Sequence, residues 1–184
     1  MTAKSGAAAD RAGSAWRVVQ RGDRIRFGEA EVVAVHPPSP GWERQRVRND
    51  DSVAVEVRYG GVSLLLAGDV ESSAEAEIAR LVQPAGVRVI LAPHHGSATS
   101  STWALVQAAA PDLAVISAGR GNRYGHPHAA VLARYRASGA LILRTDLDGA
   151  VSLRTDGRSV EVRTFTGRRL TLRPGPKAPR APPA

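Results

Sequence analysis

At 184 residues, with 43% hydrophobic content, the chain suits one domain with its own core, and the absence of cysteine restricts any metal site to His, Asp and Glu. No apolar run approaches the roughly 20 residues needed to cross a bilayer and the start lacks a signal peptide's apolar stretch, so the chain as given is expected to be soluble. A formal charge of +8 favours a polyanionic partner, although scattered arginines fit a merely compositional habit equally well. Residues 1 to 15, rich in Ala, Gly and Ser, read as a flexible lead-in. "RIRFGEAEVVAV" and "DSVAVEVRYGGVSLLLAGD" alternate apolar and polar residues, which predicts strands with a hairpin at Gly60-Gly61. "SSAEAEIARLV" predicts a helix opened by a capping box of Ser72 with Glu75 and carrying Ile78, Leu81 and Val82 on one face. "VRVILA" predicts a strand, "TWALVQAAA" a helix stopped by Pro111, and "DLAVISAG" another strand. "HPHAAVLARYRASGA" predicts a helix with Pro127 in its first turn and Gly139 at its end. "LILRTD" is again a strand, and "AVSLRTDGRSVEVRTF" a closing hairpin about Asp156-Gly157. Residues 174 to 184 hold five prolines with Lys177 and Arg180, an extended tail, so the body runs from 16 to 173. Its later half alternates strand and helix, the pattern of an α/β layered domain.

The polar residues then take a common position. Asp69 follows "SLLLAG", His94 and His95 follow "VRVILAP", and His126 follows the glycine-rich "SAGRGNRYG" beyond a third strand. In α/β sheets, residues just past the carboxyl ends of strands gather at one edge, where sites are built. Taken singly, an aspartate after glycine is a turn former and a histidine a surface or core residue. Together, they predict a metal or phosphate site, with Asp69, His94 and His126 converging on one cleft flanked by helices beginning near Ser72, Ser101 and Pro127.

"NDDSVAVEVRYGGVSLLLAGD", "LAPHHGSATSS" and "AVISAGRGNRYGHPHAAVLARYRASGALILRTDLDGAV", in that order, resemble the carboxyl-terminal metallo-β-lactamase-like domain of the ComEC family of DNA-internalisation (competence) proteins, over roughly residues 16 to 155. The resemblance implies an αββα sandwich and metal-assisted phosphodiester hydrolysis, using divalent ions of the Zn or Mn kind. It implies that Asp69 bridges metals, that His94 is a ligand and that His95 turns to substrate or to a supporting position. Ser97 and the turn after it are expected to offer backbone N–H groups to a phosphate. His126 and His128 either contact the scissile phosphate or donate a proton, with His95 and His126 the candidate catalytic groups; alternatively His126 caps the following helix. Arg120 and Arg123 are candidate phosphate contacts.

The resemblance also predicts a shortfall. Metallo-β-lactamase-like enzymes take most of their ligands from an HxHxDH-type motif that does not occur in this sequence, and His36 in "VHPPSP" is either an isolated ligand or a loop residue before two prolines. Two or three ligands hold two ions poorly. The expectation is therefore the second half of the fold, truncated at its start, from a parent protein at the bacterial cell membrane, with self-association through an exposed half-domain face. Three functional expectations stand side by side: a nuclease domain of a DNA-uptake protein, incomplete here; a non-catalytic DNA- or partner-binding module with a vestigial site; and a hydrolase of a small phosphate ester.

Overall fold

The computed structural model describes residues 11–14, 18–39 and 48–175. The expected lead-in over 1–15 and tail over 174–184, with Lys177 and Arg180, fall almost wholly outside these residues.

Among the described residues, ten strands form two sheets. In the larger, β1 (Arg24–Phe27), β2 (Ala30–His36), β3 (Ala54–Tyr59) and β4 (Val62–Leu66) run antiparallel, and β4 continues in parallel to β5 (Val87–Leu91), β6 (Leu113–Ile116) and β7 (Leu141–Arg144). Each parallel step crosses over through a helix: α1 (Ser72–Ala79), α2 (Trp103–Ala109) and α3 (Ala129–Ala137). This is the connection that parallel pairing demands. A short α4 (Thr145–Asp148) leads to β8 (Val151–Thr155), β9 (Val160–Thr164) and β10 (Arg169–Leu172), a separate antiparallel sheet in the order β10-β9-β8.

Because side chains alternate across a strand, the large sheet feeds two cores. Leu65, Ile90, Ala114 and Ile116 face the helices, meeting Ile78 of α1, Leu105 and Val106 of α2, and Val131 and Tyr135 of α3. Val62, Val87, Val89, Leu113, Val115 and Leu143 face the other way and meet Val160, Val162 and Leu172 of the small sheet. The layers are thus helices, mixed sheet and antiparallel sheet, an α/β architecture as expected. The hairpin at Gly60-Gly61 is a two-residue turn, and its tip touches the small sheet. Gly60 has φ 55° and a Cβ there would lie 2.5 Å from the Gly157 oxygen, while the Gly61 N–H donates to that oxygen at 2.7 Å.

Four local expectations differ from the structure. Glu71, not Ser72, is the residue before α1, and Glu75 forms no capping box: fully buried, it accepts from the Ser101 and Thr102 N–H groups at 2.5 and 2.7 Å. A tertiary demand for an acceptor has overridden the local one. Pro127 precedes the N-cap of α3, which is His128, so the alternative of His126 as cap gives way to its neighbour but one. The strand "LILRTD" ends at Arg144, because the Thr145 hydroxyl turns to Ala118, accepting from its N–H and donating to its carbonyl. β10 pairs a segment given no strand in the sequence reading.

One polar cluster is buried among the apolar layers. Arg88, in the middle of β5, donates from Nη1 to Glu56 Oε1 at 2.6 Å and to Ser63 Oγ at 2.9 Å, and also bonds the Gln83 carbonyl. Ser63 donates to the same carboxylate at 2.6 Å, and Arg58 Nε to its other oxygen at 3.0 Å. Burial alone would raise the Glu56 carboxyl, but the hydrogen bonds from Arg58, Ser63 and Arg88 outweigh it and hold the group below its ordinary value.

Candidate functional site

The carboxyl ends of β4, β5 and β6 carry three loops to one edge of the sheet. After β4, Gly68 accepts from the His94 N–H at 3.0 Å, tying the loop that holds Asp69 to the one that holds the histidine pair. After β5, Pro93–Gly96 forms a single tight turn in which His94 (φ 47°) and His95 (φ 55°) both adopt the left-handed conformation, followed by Gly96 at φ 79°. For residues bearing a Cβ this costs roughly 1–2 kcal/mol each, and such strain concentrates where side chains must be aimed. Gly96 has a second constraint: a Cβ would lie 2.7 Å from Pro127 Cβ, and the Gly96 carbonyl accepts from the His128 N–H at 2.9 Å. The third loop, after β6, is thereby locked to the second.

The turn sends the two imidazoles in different directions. His95 Nδ1 lies 2.8 Å from the Ser117 carbonyl oxygen. A carbonyl only accepts, so Nδ1 carries a proton and Nε2 is the nitrogen left to face the cleft. That nitrogen faces Asp69 Oδ1 at 3.7 Å, and both side chains are about half exposed. His94 instead turns to Glu71, with Nδ1 3.4 Å from Oε1 but without the alignment of a hydrogen bond, so this buried nitrogen has no hydrogen-bond partner among the described residues. The His126 ring stands 5.9 Å from that of His94, edge-on. Desolvation, then the neighbouring charges of His94, His95 and His128, hold the His126 pKa below its ordinary value. Asp69, His94, His95 and His126 therefore do share one edge, and it is His95, rather than His94, that the structure sets against Asp69.

The other expected residues fall around this edge. Ser97 is buried in the turn, its N–H on the His94 carbonyl at 2.9 Å and its hydroxyl on Thr99 Oγ1 at 3.0 Å. His128 caps α3, accepting from the Ala130 N–H at 3.3 Å. Arg120 and Arg123 are exposed, the first near the Asp146 carbonyl and the second on the Tyr124 hydroxyl. His36 is buried at the end of β2 with Nε2 on the Asp50 carbonyl at 2.7 Å, apart from the cluster. Among the described residues no three His, Asp or Glu side chains converge as a metal site, and no helix is long and apolar enough to cross a membrane.

No family model matches the chain. Curated relatives do. It is 32% identical over 151 residues to ComE operon protein 3 of Bacillus subtilis, a match that covers 82% of this chain and 19% of the relative. It is 41% identical over 107 residues to competence protein ComA of Neisseria gonorrhoeae (56% and 15%), and 35% identical over 106 to recombination protein 2 of Haemophilus influenzae (58% and 13%). This chain belongs to the ComEC family. It spans less than a fifth of the length of these relatives.

In this ComEC-family chain, several further residues, which no sequence motif marks as functional, complete the edge. Asn122 staples the third loop, donating from Nδ2 to the His126 carbonyl at 2.6 Å and accepting the His126 N–H on Oδ1 at 3.0 Å. An asparagine amid glycines is a turn signal that makes such a staple legible. Tyr124 stacks on the His126 ring with centroids 5.9 Å apart and planes inclined by 20°. Glu71, next to His94, carried no signal, because it reads as an ordinary helix-start acid.

Proposed function

We propose that this chain supplies the phosphate-facing edge of a phosphodiester hydrolase in a DNA-uptake protein, with His95 and Asp69 at its centre. The observation that carries the reading is the pair itself: the free imidazole nitrogen of His95 and a carboxylate oxygen of Asp69, 3.7 Å apart. Two acceptors so placed repel unless a cation stands between them, whether a proton or a divalent ion. His95, anchored through Nδ1 to a backbone carbonyl in the manner of orienting contacts behind metal-bound or catalytic histidines, takes a proton at Nε2, and Asp69 stabilises the imidazolium. His126, held neutral by desolvation and by its neighbours, offers an N–H to a phosphate oxygen. The layer order of helices, mixed sheet and second sheet agrees with three layers of an αββα sandwich, and the competence relatives supply the DNA-uptake setting.

The donors do not fit a complete metal centre. Zinc in protein sites takes about four ligands, and manganese, which favours octahedral oxygen-rich sites, takes more. Asp69 and His95 supply two, short of either set. The test is an oligonucleotide cleavage assay in manganese. The 184-residue chain alone is expected to bind manganese weakly and to leave DNA uncut, and supplying a segment with an HxHxDH motif is expected to restore cleavage that Asp69→Ala and His95→Ala each remove. Cleavage by the chain alone that survives Asp69→Ala would overturn the proposal. DNA bound but uncut in every combination would favour the binding module, and turnover confined to small phosphate esters the third reading.

A further inference from the structure

We infer that Tyr124 is a stacking platform for an unpaired nucleobase, so that the edge takes single-stranded nucleic acid in preference to duplex; this rests on the phosphate-facing reading above. The ring is 66% exposed, although it lies beside a cluster of polar loops rather than on an apolar face. It sits parallel to His126, at the rim of an open cleft of about 430 Å³ lined by His95, Ser117, Gly119, Asn122 and His126. That volume is within the roughly 300–1,000 Å³ of small-ligand clefts. It is on the scale of one nucleotide unit.

The cation beside the ring gives the second half of the argument. Arg123 places its guanidinium carbon 5.0 Å from the Tyr124 centroid and donates to the Tyr124 hydroxyl at 2.9 Å. Arg120, also exposed, lies on the same glycine-rich loop. An exposed aromatic interleaved with arginines is what sequence-tolerant binding of single strands uses: bases stack on the ring while cations follow the phosphates. Bases inside a duplex have both faces covered by their neighbours and offer the ring nothing. Asn122 supports the arrangement by holding His126 at both its N–H and its carbonyl, so the stacked pair of rings rests on a stapled loop.

The experiment compares the whole chain's affinity, by fluorescence anisotropy at low salt, for a single-stranded oligonucleotide, an abasic strand of the same length and a blunt duplex. The abasic strand keeps every phosphate and removes every base. The expected result is tighter binding of the base-bearing strand, by roughly 5- to 150-fold over the abasic one, the range of base–aromatic stacking. Tyr124→Ala should erase that preference without lowering the thermal midpoint, Tyr124→Phe should keep it, and Arg120→Gln with Arg123→Gln should flatten the salt dependence instead. Equal binding of intact and abasic strands, or a preference that survives Tyr124→Ala, overturns the inference while leaving the phosphate reading intact. Failure to bind any of the three overturns both.

Discussion

Two clusters of ionisable side chains lie six residues apart along one strand path, at Ser63 and at Asp69, and they are built in opposite ways. At the first, Glu56, Ser63 and Arg88 are buried, and the carboxylate receives hydrogen bonds from all its neighbours at 3.0 Å or less. At the second, Asp69 and His95 are half exposed and separated by 3.7 Å, and the His94 Nδ1 is buried without a hydrogen-bond partner among the described residues. A closed network in a low-dielectric interior holds neighbouring strands together and has nothing left to offer a ligand. An open one, held on strained backbone, has unmet bonding capacity. Charge content alone does not distinguish them; satisfaction does.

Substitutions can break this contrast, and the largest effect should come from the closed cluster. Arg88→Met strips a cation from a buried carboxylate and should cost about 3–5 kcal/mol, read as a lowered urea midpoint, with DNA binding of the folded fraction unchanged. A loss as small as that of a surface substitution would show that Arg58 alone satisfies Glu56.

Glu75 should come next. Glu75→Ala leaves the Ser101 and Thr102 N–H groups without their acceptor and should cost about 1–3 kcal/mol. Burial is the largest influence on the Glu75 carboxyl and raises it, against hydrogen bonds from Thr102 and Ser101 and the Arg134 charge, which lower it. Since its folded value lies above the ordinary 4.5, its contribution is present below that pH and is lost as pH rises through the folded value. The stability difference between the wild type and Glu75→Gln should therefore shrink as pH is raised from 4.5.

At the open cluster, effects on stability should be small or reversed. His95→Gly relieves a left-handed residue and should leave stability unchanged or raise it by up to about 1 kcal/mol, while abolishing the restored cleavage. Asp69→Asn should shift stability by no more than about 0.5 kcal/mol. A large loss from either would move the edge into the structural class. The mildest effect should belong to Arg120→Gln, which should reduce the logarithmic salt slope of DNA binding by up to about 0.9 if its one phosphate contact is lost.

The sequence carried much of this, because its signals were local. Alternation and a glycine pair place β3 and β4, and strand-end positions bring Asp69, His94, His95 and His126 to one edge. What it missed depended on distant partners. Glu75 spaced three residues after Ser72 is a capping box by pattern, but its acceptor oxygens are drawn to a turn 26 residues away. Which histidine of the pair meets Asp69 is decided by two positive φ angles that no side-chain pattern encodes. β10, a short segment between arginines, has alternation too brief to stand out until Arg169 is seen paired with Arg163 and Leu172 with Val160.

The contact between Gly96 and Pro127 has a mechanical consequence. With no gap for a methyl group between them, and the His128 amide bonded to the Gly96 carbonyl, the second and third loops should move as one. A molecule that tugs on His126 also tugs on His95, so whatever docks at one rim of the cleft is felt at the other without any helix having to move. Amide protons at Ser97 and His128 should accordingly exchange with heavy water in a single opening event, at a shared rate, and slow down together when a strand is bound.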